Sequence, residues 1–364
     1  MLQNNGKGPD YRSGRNADKS TPSARYTSDI PRKQKHPANT GTPGVANNRT
    51  LQDITERNPF LTVKKCNLPS FIVVTVMILY LISEILLSGN YINSSNPYVT
   101  VVIAQFCVYL IPCAFFFAFS SLISKVTPKN FGFKTPSLKL LGFGFSSLFV
   151  LVFGGMLIKY SGYLIFGTVN SSAVSVSANS DFLYILLSGI VVPAITEEVL
   201  FRGVVFGVYE RKLGSFTAIL ASSVLFAFIH FDSVNFFSYL YAGIILGIAM
   251  TVTRSVIAPI LLHLFNNFIC IFSDTYLQRI SKESISAVFV VFILTVLLLV
   301  VLFFYFESLE LYCREKALEK SQRKSDSPRL FVTGEPKTIV LARAFLAPSF
   351  IIALSIYLIK VLTM

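Results

Sequence analysis

The sequence predicts an all-α fold: a polytopic membrane helical bundle of about eight to nine transmembrane helices behind a disordered N-terminal tail. Composition gives the first reason, since hydrophobic residues make up 53% of the 364 and charged residues 14%, where a soluble domain carries about 25% charge. Mean hydropathy, at +0.61, gives the second. The third is that, from Ser70 onward, apolar runs recur that are long enough to cross about 30 Å of hydrocarbon, which takes roughly 20 helical residues.

In chain order, residues 1–67 are rich in Asn, Ser, Thr, Pro, Lys and Arg and poor in aromatics. They cannot bury enough apolar surface to offset the entropy of ordering, and they read as a disordered basic tail in which His36 is a solvated residue. The chain does not open on a charged segment followed by an apolar run, so no cleavable signal peptide is expected and the first span would act as its own signal. Spans are predicted at 70–88, 98–123, 140–165, 182–210, 214–231, 235–253, 255–273, 286–306 and 342–361. The layout is then a tail at 1–67, a transmembrane domain at 68–310 with its polar core at 182–270, a cytoplasmic linker at 311–340 and a C-terminal helix at 341–364. Pro348 and Lys360 leave that last helix open to crossing or to re-entry.

A net charge of +13 would suit nucleic acid, but its distribution points elsewhere. Lys125, Lys129, Lys134 and Lys139 follow the second span, Arg211 and Lys212 the fourth, Arg254 the sixth, and Arg314, Lys316, Lys320, Arg323, Lys324, Arg329 and Lys337 the eighth. The loops after spans one, three and five carry no Lys or Arg, since Lys159 lies within span three. The positive-inside bias therefore predicts an integral membrane protein with a cytoplasmic N-terminus, nine spans and an external C-terminus, with membrane lipid and no nucleic acid as a partner. Cys66, Cys107, Cys113, Cys270 and Cys313 are odd in number without CxxC spacing, so neither a disulfide framework nor a zinc knuckle is indicated. Cys66, just ahead of the first span, is read as an unmodified thiol rather than a lipid acceptor. Asn170-Ser171-Ser172 is a formal glycosylation acceptor that has meaning only in a secretory pathway.

Within these apolar spans sits a polar constellation. Thr196-Glu197-Glu198-Val199-Leu200-Phe201-Arg202 places three ionisable groups in span four, where a central charge costs roughly 2.5–3.5 kcal/mol on insertion scales. Glu198 and Arg202 are four apart in the favourable acid-first order, while Glu197 points about 100° away on the helix wheel. Pro193, four residues ahead of Glu197, predicts a kink with freed carbonyls. His230 ends Phe226-Ala227-Phe228-Ile229-His230 in span five, with Phe226 stacked beneath it at four-residue spacing, and His263 opens His263-Leu264-Phe265-Asn266-Asn267 in span seven, where His263 and Asn267 share a face. Counted from the cytoplasmic ends, Glu197 lies roughly 20 Å in, His230 roughly 24 Å and His263 roughly 13 Å, so tilt or a kink is needed to bring them together. Each residue alone reads as structural: a buried ion pair is worth little after desolvation, and a lone buried His is usually a satisfied hydrogen-bonder. Together, two acids, two histidines and a carboxamide supply a base, an acid and oxyanion donors for water attack on an amide. Glu84 and Lys159, charges within spans one and three, are expected near the outer interface.

Glu197 to Arg202 resembles the EExxxR motif, Phe226 to His230 the FxxxH motif and His263 to Asn267 the HxxxN motif of the CAAX-protease and bacteriocin-processing (CPBP, or Abi) family of intramembrane endopeptidases. The resemblance covers residues 182–270 and extends loosely to Phe131-Gly132-Phe133-Lys134. It implies that Glu197 and His230 activate the attacking water, that His263 and Asn267 stabilise the oxyanion, and that Glu198 with Arg202 fixes the geometry. The implied substrate is a peptide or membrane-protein segment, and no cofactor is expected. The alternatives are a zinc-dependent version of the same hydrolysis, with Glu197, Glu198, His230 and His263 as ligands although HExxH is absent; a non-catalytic membrane scaffold or immunity protein retaining the polar cluster; and a transporter, which the lack of an inverted repeat disfavours.

Overall fold

The computed structural model describes residues 59–88, 97–124, 132, 135–136, 140–166, 182–280, 284–322 and 336–363. The tail through residue 58 with His36, the side chain of Cys66, the loop lysines Lys125, Lys129, Lys134 and Lys139, the acceptor Asn170, and linker residues 323–335 lie outside them. Every regular element among the described residues is a helix: α1 Pro59–Ser88, α2 Pro97–Ser124, α3 Leu141–Phe166, α4 Phe182–Leu213, α5 Ser215–Phe228, α6 Phe236–Thr253, α7 Ile257–Ile280, α8 Ser284–Gln322, α9 Lys337–Phe345 and α10 Pro348–Thr363.

Five of these (α1, α3, α4, α6 and α8) are long and apolar enough to cross a membrane, and the pair α9–α10, bent by 59°, makes a sixth if counted as one. Shorter apolar helical stretches lie at Val102–Ala118, Ser215–Phe228 and Ile257–Ser273. Each predicted span thus has a helix, but their lengths differ from the prediction. Helix α5 has 14 residues, about 21 Å at 1.5 Å per residue, short of the hydrocarbon thickness. Helix α1 begins at Pro59, ahead of the predicted start at residue 70, and α8 continues to Gln322, so residues 311–322 are helical.

The boundaries have local causes. Gly214, at φ +84°, turns the chain between α4 and α5 while its N–H bonds the Glu210 carbonyl at 3.0 Å, a conformation that favours glycine. Arg254, at φ +53°, caps α6 in the left-handed region and sends its N–H to the Met250 carbonyl at 2.9 Å. Asp232 pins the α5–α6 connector: its Oδ1 accepts the N–H groups of Val234 and Asn235, each at 3.0 Å, and its Oδ2 accepts Asn235 Nδ2 at 2.8 Å.

Helix α4 is the centre of the bundle. Half of its most apolar window is buried, against 11% for α8, which stands at the edge with an apolar surface suited to lipid. Leu200, Phe201, Val204, Val205 and Phe206 of α4 are fully buried in one core with Val73 and Met77 of α1 and Ala221 and Leu225 of α5. Small residues let α5 and α6 close on each other, since a Cβ on Gly243 would lie 2.8 Å from Ser223 Cβ and 2.9 Å from its Cα; without a hydrophobic drive between helices in lipid, such close approach is what packing relies on. Helices α1 and α10 run parallel: Ser70 Oγ, midway along α1, and Ser349 Oγ, at the start of α10, are 2.6 Å apart, Ser349 Oγ donates to the Asn67 carbonyl at 2.9 Å, and near the ends of both helices Lys360 Nζ donates to Glu84 Oε1 at 3.1 Å.

Candidate active site

Helix α4 carries three of the six candidate residues and passes Pro193 by widening. Where that proline predicts a kink, the Val192 N–H reaches five residues back to the Leu187 carbonyl, a π turn, and Pro193 then falls in the first turn of the α-helical stretch Val192–Glu198. A missing N–H is harmless there. A second π stretch, Val199–Val205, follows, closed by the Phe206 N–H on the Phe201 carbonyl. Thr196 turns its hydroxyl inward onto the Val192 carbonyl at 2.8 Å, so it exposes no polar atom to the core.

Glu198 and Arg202 form the expected ion pair, Nη1 to Oε1 at 2.8 Å, with both side chains wholly buried. Two further partners were not readable from their helix. Arg202 Nη2 donates to the Gly243 carbonyl of α6 at 3.0 Å, and Glu198 Oε1 also receives His263 Nδ1 of α7 at 2.9 Å. The Arg202 guanidinium carbon lies 4.8 Å from the centroid of the Phe226 ring, which Phe201 meets edge-on at 5.2 Å. A buried pair is tolerable when such contacts satisfy its remaining groups and costly when one partner is removed.

Glu197 and His230 form a looser pair. His230 Nε2 lies 3.8 Å from Glu197 Oε2, beyond hydrogen-bonding range, and Glu197 Oε2 is buried with no partner. His230 Nδ1 is 2.8 Å from the Phe226 carbonyl. A carbonyl only accepts, so Nδ1 carries a proton, and in the neutral ring Nε2 presents its lone pair toward Glu197. Tyr239 stacks on the imidazole at 3.8 Å between centroids and Phe226 meets it at 4.8 Å, which fixes the ring plane. Helix α5 ends at Phe228, so His230 sits in the turn beyond it, with its N–H on the Ala227 carbonyl. Phe231, next to it, is held at φ +48° and buried, an unfavourable backbone for an aromatic residue.

The separation in depth counted along the helices is thus overcome: α4, the α5–α6 connector and α7 bring Glu197 to His230 and Glu198 to His263. Asn267 lies half-buried one turn along α7 from His263; His263 spends its Nδ1 on Glu198 rather than on Asn267. Sequence reasoning missed Gly243 and Tyr239. The spacing Gly243-Ile244-Ile245-Leu246-Gly247 is a small-xxx-small signal of close helix approach and could have found the first; no short-range signal marks Tyr239.

Zinc does not fit these donors as they stand. Glu198 Oε1 is held by Arg202 and His263 and His230 Nδ1 by a carbonyl, while Glu197 Oε2 and Glu198 Oε2 are buried without a hydrogen-bond partner. Among the described residues no group of three or more His, Cys, Asp or Glu converges as a metal cage.

Comparison with known proteins bears on the same segment. Residues 179–269, which contain all six candidate residues, match the family described as Type II CAAX prenyl endopeptidase Rce1-like. The likeness to this endopeptidase family is confined to that segment. A Bacillus subtilis (strain 168) protein named "Putative membrane peptidase YdiL" is 32% identical over 130 residues, which cover 33% of this chain. The matched part is 53% of that relative, so the chain spans about half its length. No solved structure matches the chain. The matched segment takes in α4 to α6 and ends within α7; α1, α2, α3, α8, α9 and α10 lie outside it.

Proposed function

We propose that this chain is a membrane-embedded endopeptidase that holds its attacking water between Glu197 and His230. The observation that carries this is the 3.8 Å between His230 Nε2 and Glu197 Oε2: it is too long for a direct bond, yet one water can sit about 2.8 Å from both. Glu198 is ion-paired through Oε1 with Arg202 and also bonded by His263, whereas Glu197 has neither contact and faces His230, which favours Glu197 as the base. Water attacks the peptide carbonyl carbon as its proton passes to Glu197, and His230 orients it by accepting its second hydrogen. The C–N bond then breaks while Glu197 returns the proton to the leaving amine. His263 and Asn267 serve the oxyanion. His263 Nε2 donates when the ring carries both protons, the state in which it is also an ion-pair partner for Glu198, and the Asn267 amide adds a donor one turn away. The substrate is a peptide or membrane-protein segment, and the family description makes a prenylated C-terminal peptide the first to test. The basic tail faces the cytoplasm by the Lys and Arg bias of the loops.

The test uses the full-length protein in lipid nanodiscs with a fluorogenic prenyl-cysteine peptide, together with a comparison of membrane peptides that accumulate in Glu197→Gln cells and in the parent. Glu197→Gln and His230→Ala should insert normally and lose turnover; unchanged turnover in either would sink the assignment. Activity should survive prolonged chelation, and loss that zinc alone restores would replace the water-holding pair with a metal. If Glu197→Gln leaves both the peptides and the cellular phenotype unchanged, the polar cluster belongs to a scaffold.

A further inference from the structure

Helix α10 lies outside the segment matched by the family, at the far end of the sequence, yet it packs directly on the connector that carries His230. Phe228 and Phe236 are the residues at which α5 ends and α6 begins. Tyr357 of α10 stacks on Phe228 at 5.0 Å and 24° and lies 5.8 Å from Phe236; Phe350 meets Phe228 edge-on at 5.9 Å. Phe228 and Phe236 are themselves 6.2 Å apart. Both ends of the seven-residue connector 229–235 are thus gathered onto one ring of the C-terminal helix. Its middle is held from the other side, where Tyr80 of α1 stacks on Phe231 at 5.7 Å and 27°. The two supporting helices are in turn fixed to each other at two places, by Ser70, Ser349 and Asn67 and by Glu84 and Lys360.

This support meets a need of the connector. His230 is not within a helix, and its neighbour Phe231 is held at φ +48°, a conformation that persists only where the surroundings over-determine it. We propose that Tyr357 and Phe350 of α10, with Tyr80 of α1, are positioning residues that hold the His230 turn in register with Glu197. The mechanism rests on the endopeptidase reading, but the positioning itself does not, because it concerns where an imidazole stands.

The sequence has three histidines, His36, His230 and His263, so the imidazole nitrogens of the ¹⁵N-histidine-labelled full chain in nanodiscs can be assigned by single substitutions. Tyr357→Ala should shift or split the His230 signals and leave those of His36 unchanged. Tyr357→Phe, which keeps the ring, should restore the parent spectrum, and Ser355→Ala, on an exposed part of the same helix, should match the parent. Tyr357→Leu, which keeps bulk without the ring, serves if the alanine variant does not fold. With the prenyl-cysteine peptide, Tyr357→Ala or Tyr357→Leu should lower kcat about tenfold to a hundredfold, the range that small misplacements of catalytic groups cost, with KM within about twofold of the parent. Unmoved His230 signals in a folded Tyr357 variant lacking the ring overturn the proposal. Shifted signals in a protein whose parent cleaves nothing uphold the positioning and overturn the endopeptidase reading instead.

Discussion

At the scale of single residues, the buried charges set the largest energies. Glu198 Oε1 is held from two helices, by Arg202 beside it and by His263 across from it, while its Oε2 is buried with no hydrogen-bond partner, and Arg202 is anchored in turn on the Gly243 carbonyl. Arg202→Met would leave a buried carboxylate with one partner and should cost about 3–5 kcal/mol, seen as a lowered unfolding temperature and poor yield. Arg202→Lys should recover part of this, because an ammonium reaches Glu198 but lacks the planar fork that spans two acceptors. Gly243→Ala should cost about 1–3 kcal/mol through overpacking, since its Cβ would press on Ser223 from 2.8 Å; a Tm equal to the parent's would show that the helices part without penalty. The pairing of Glu198 with Arg202 was legible because four-residue spacing on one helix is a local geometry. The bonds to His263 and Gly243 were not, because they depend on how three helices tilt, and that is settled by packing far from the motif.

At the scale of elements, apolar runs located every helix, while their ends and internal pitch escaped. Pro348 and Lys360 left the last predicted helix open to re-entry, and it is broken ahead of Pro348 into α9 and α10, whereas Gly214, placed at the start of the fifth span, turns the chain between α4 and α5. Nothing local announced that α5 would stop at Phe228 and leave His230 in a turn, or that α4 would pass Pro193 through a π turn. A π stretch is an α-helix holding one extra residue in a turn, which makes its deletion behaviour distinctive. Removing Gly189, within Ile185–Val191, should restore ordinary pitch while Glu197, Glu198 and Arg202 keep their mutual register. Removing Ala194, within the α-helical stretch, should instead rotate the segment before it by about 100° against the carboxylates. The first deletion should yield folded protein by size-exclusion chromatography and the second should not; equal damage from both would contradict the extra-residue account of α4.

At the scale of the whole molecule, the polar cluster lies within one family-matched segment, but its support comes from both ends of the chain. The pairing of α1 with α10 is non-local, and neither charge, Glu84 or Lys360, named its partner in the sequence. Exchanging them tests the pairing. Glu84→Lys or Lys360→Glu alone should lower Tm, and the double exchange should recover most of the loss because the Nζ–Oε contact is re-formed with its polarity reversed; additive losses would mean that the two charges do not meet. The same arrangement has a consequence in time. Helix α10 is made after α4 to α7, and chains emerge from synthesis at about 5–20 residues per second, so α4 to α7 are complete well before Phe350 and Tyr357 exist. Until those two rings arrive, the turn bearing His230 lacks its clasp, and the polar centre is finished only after a helix far downstream of it has been made.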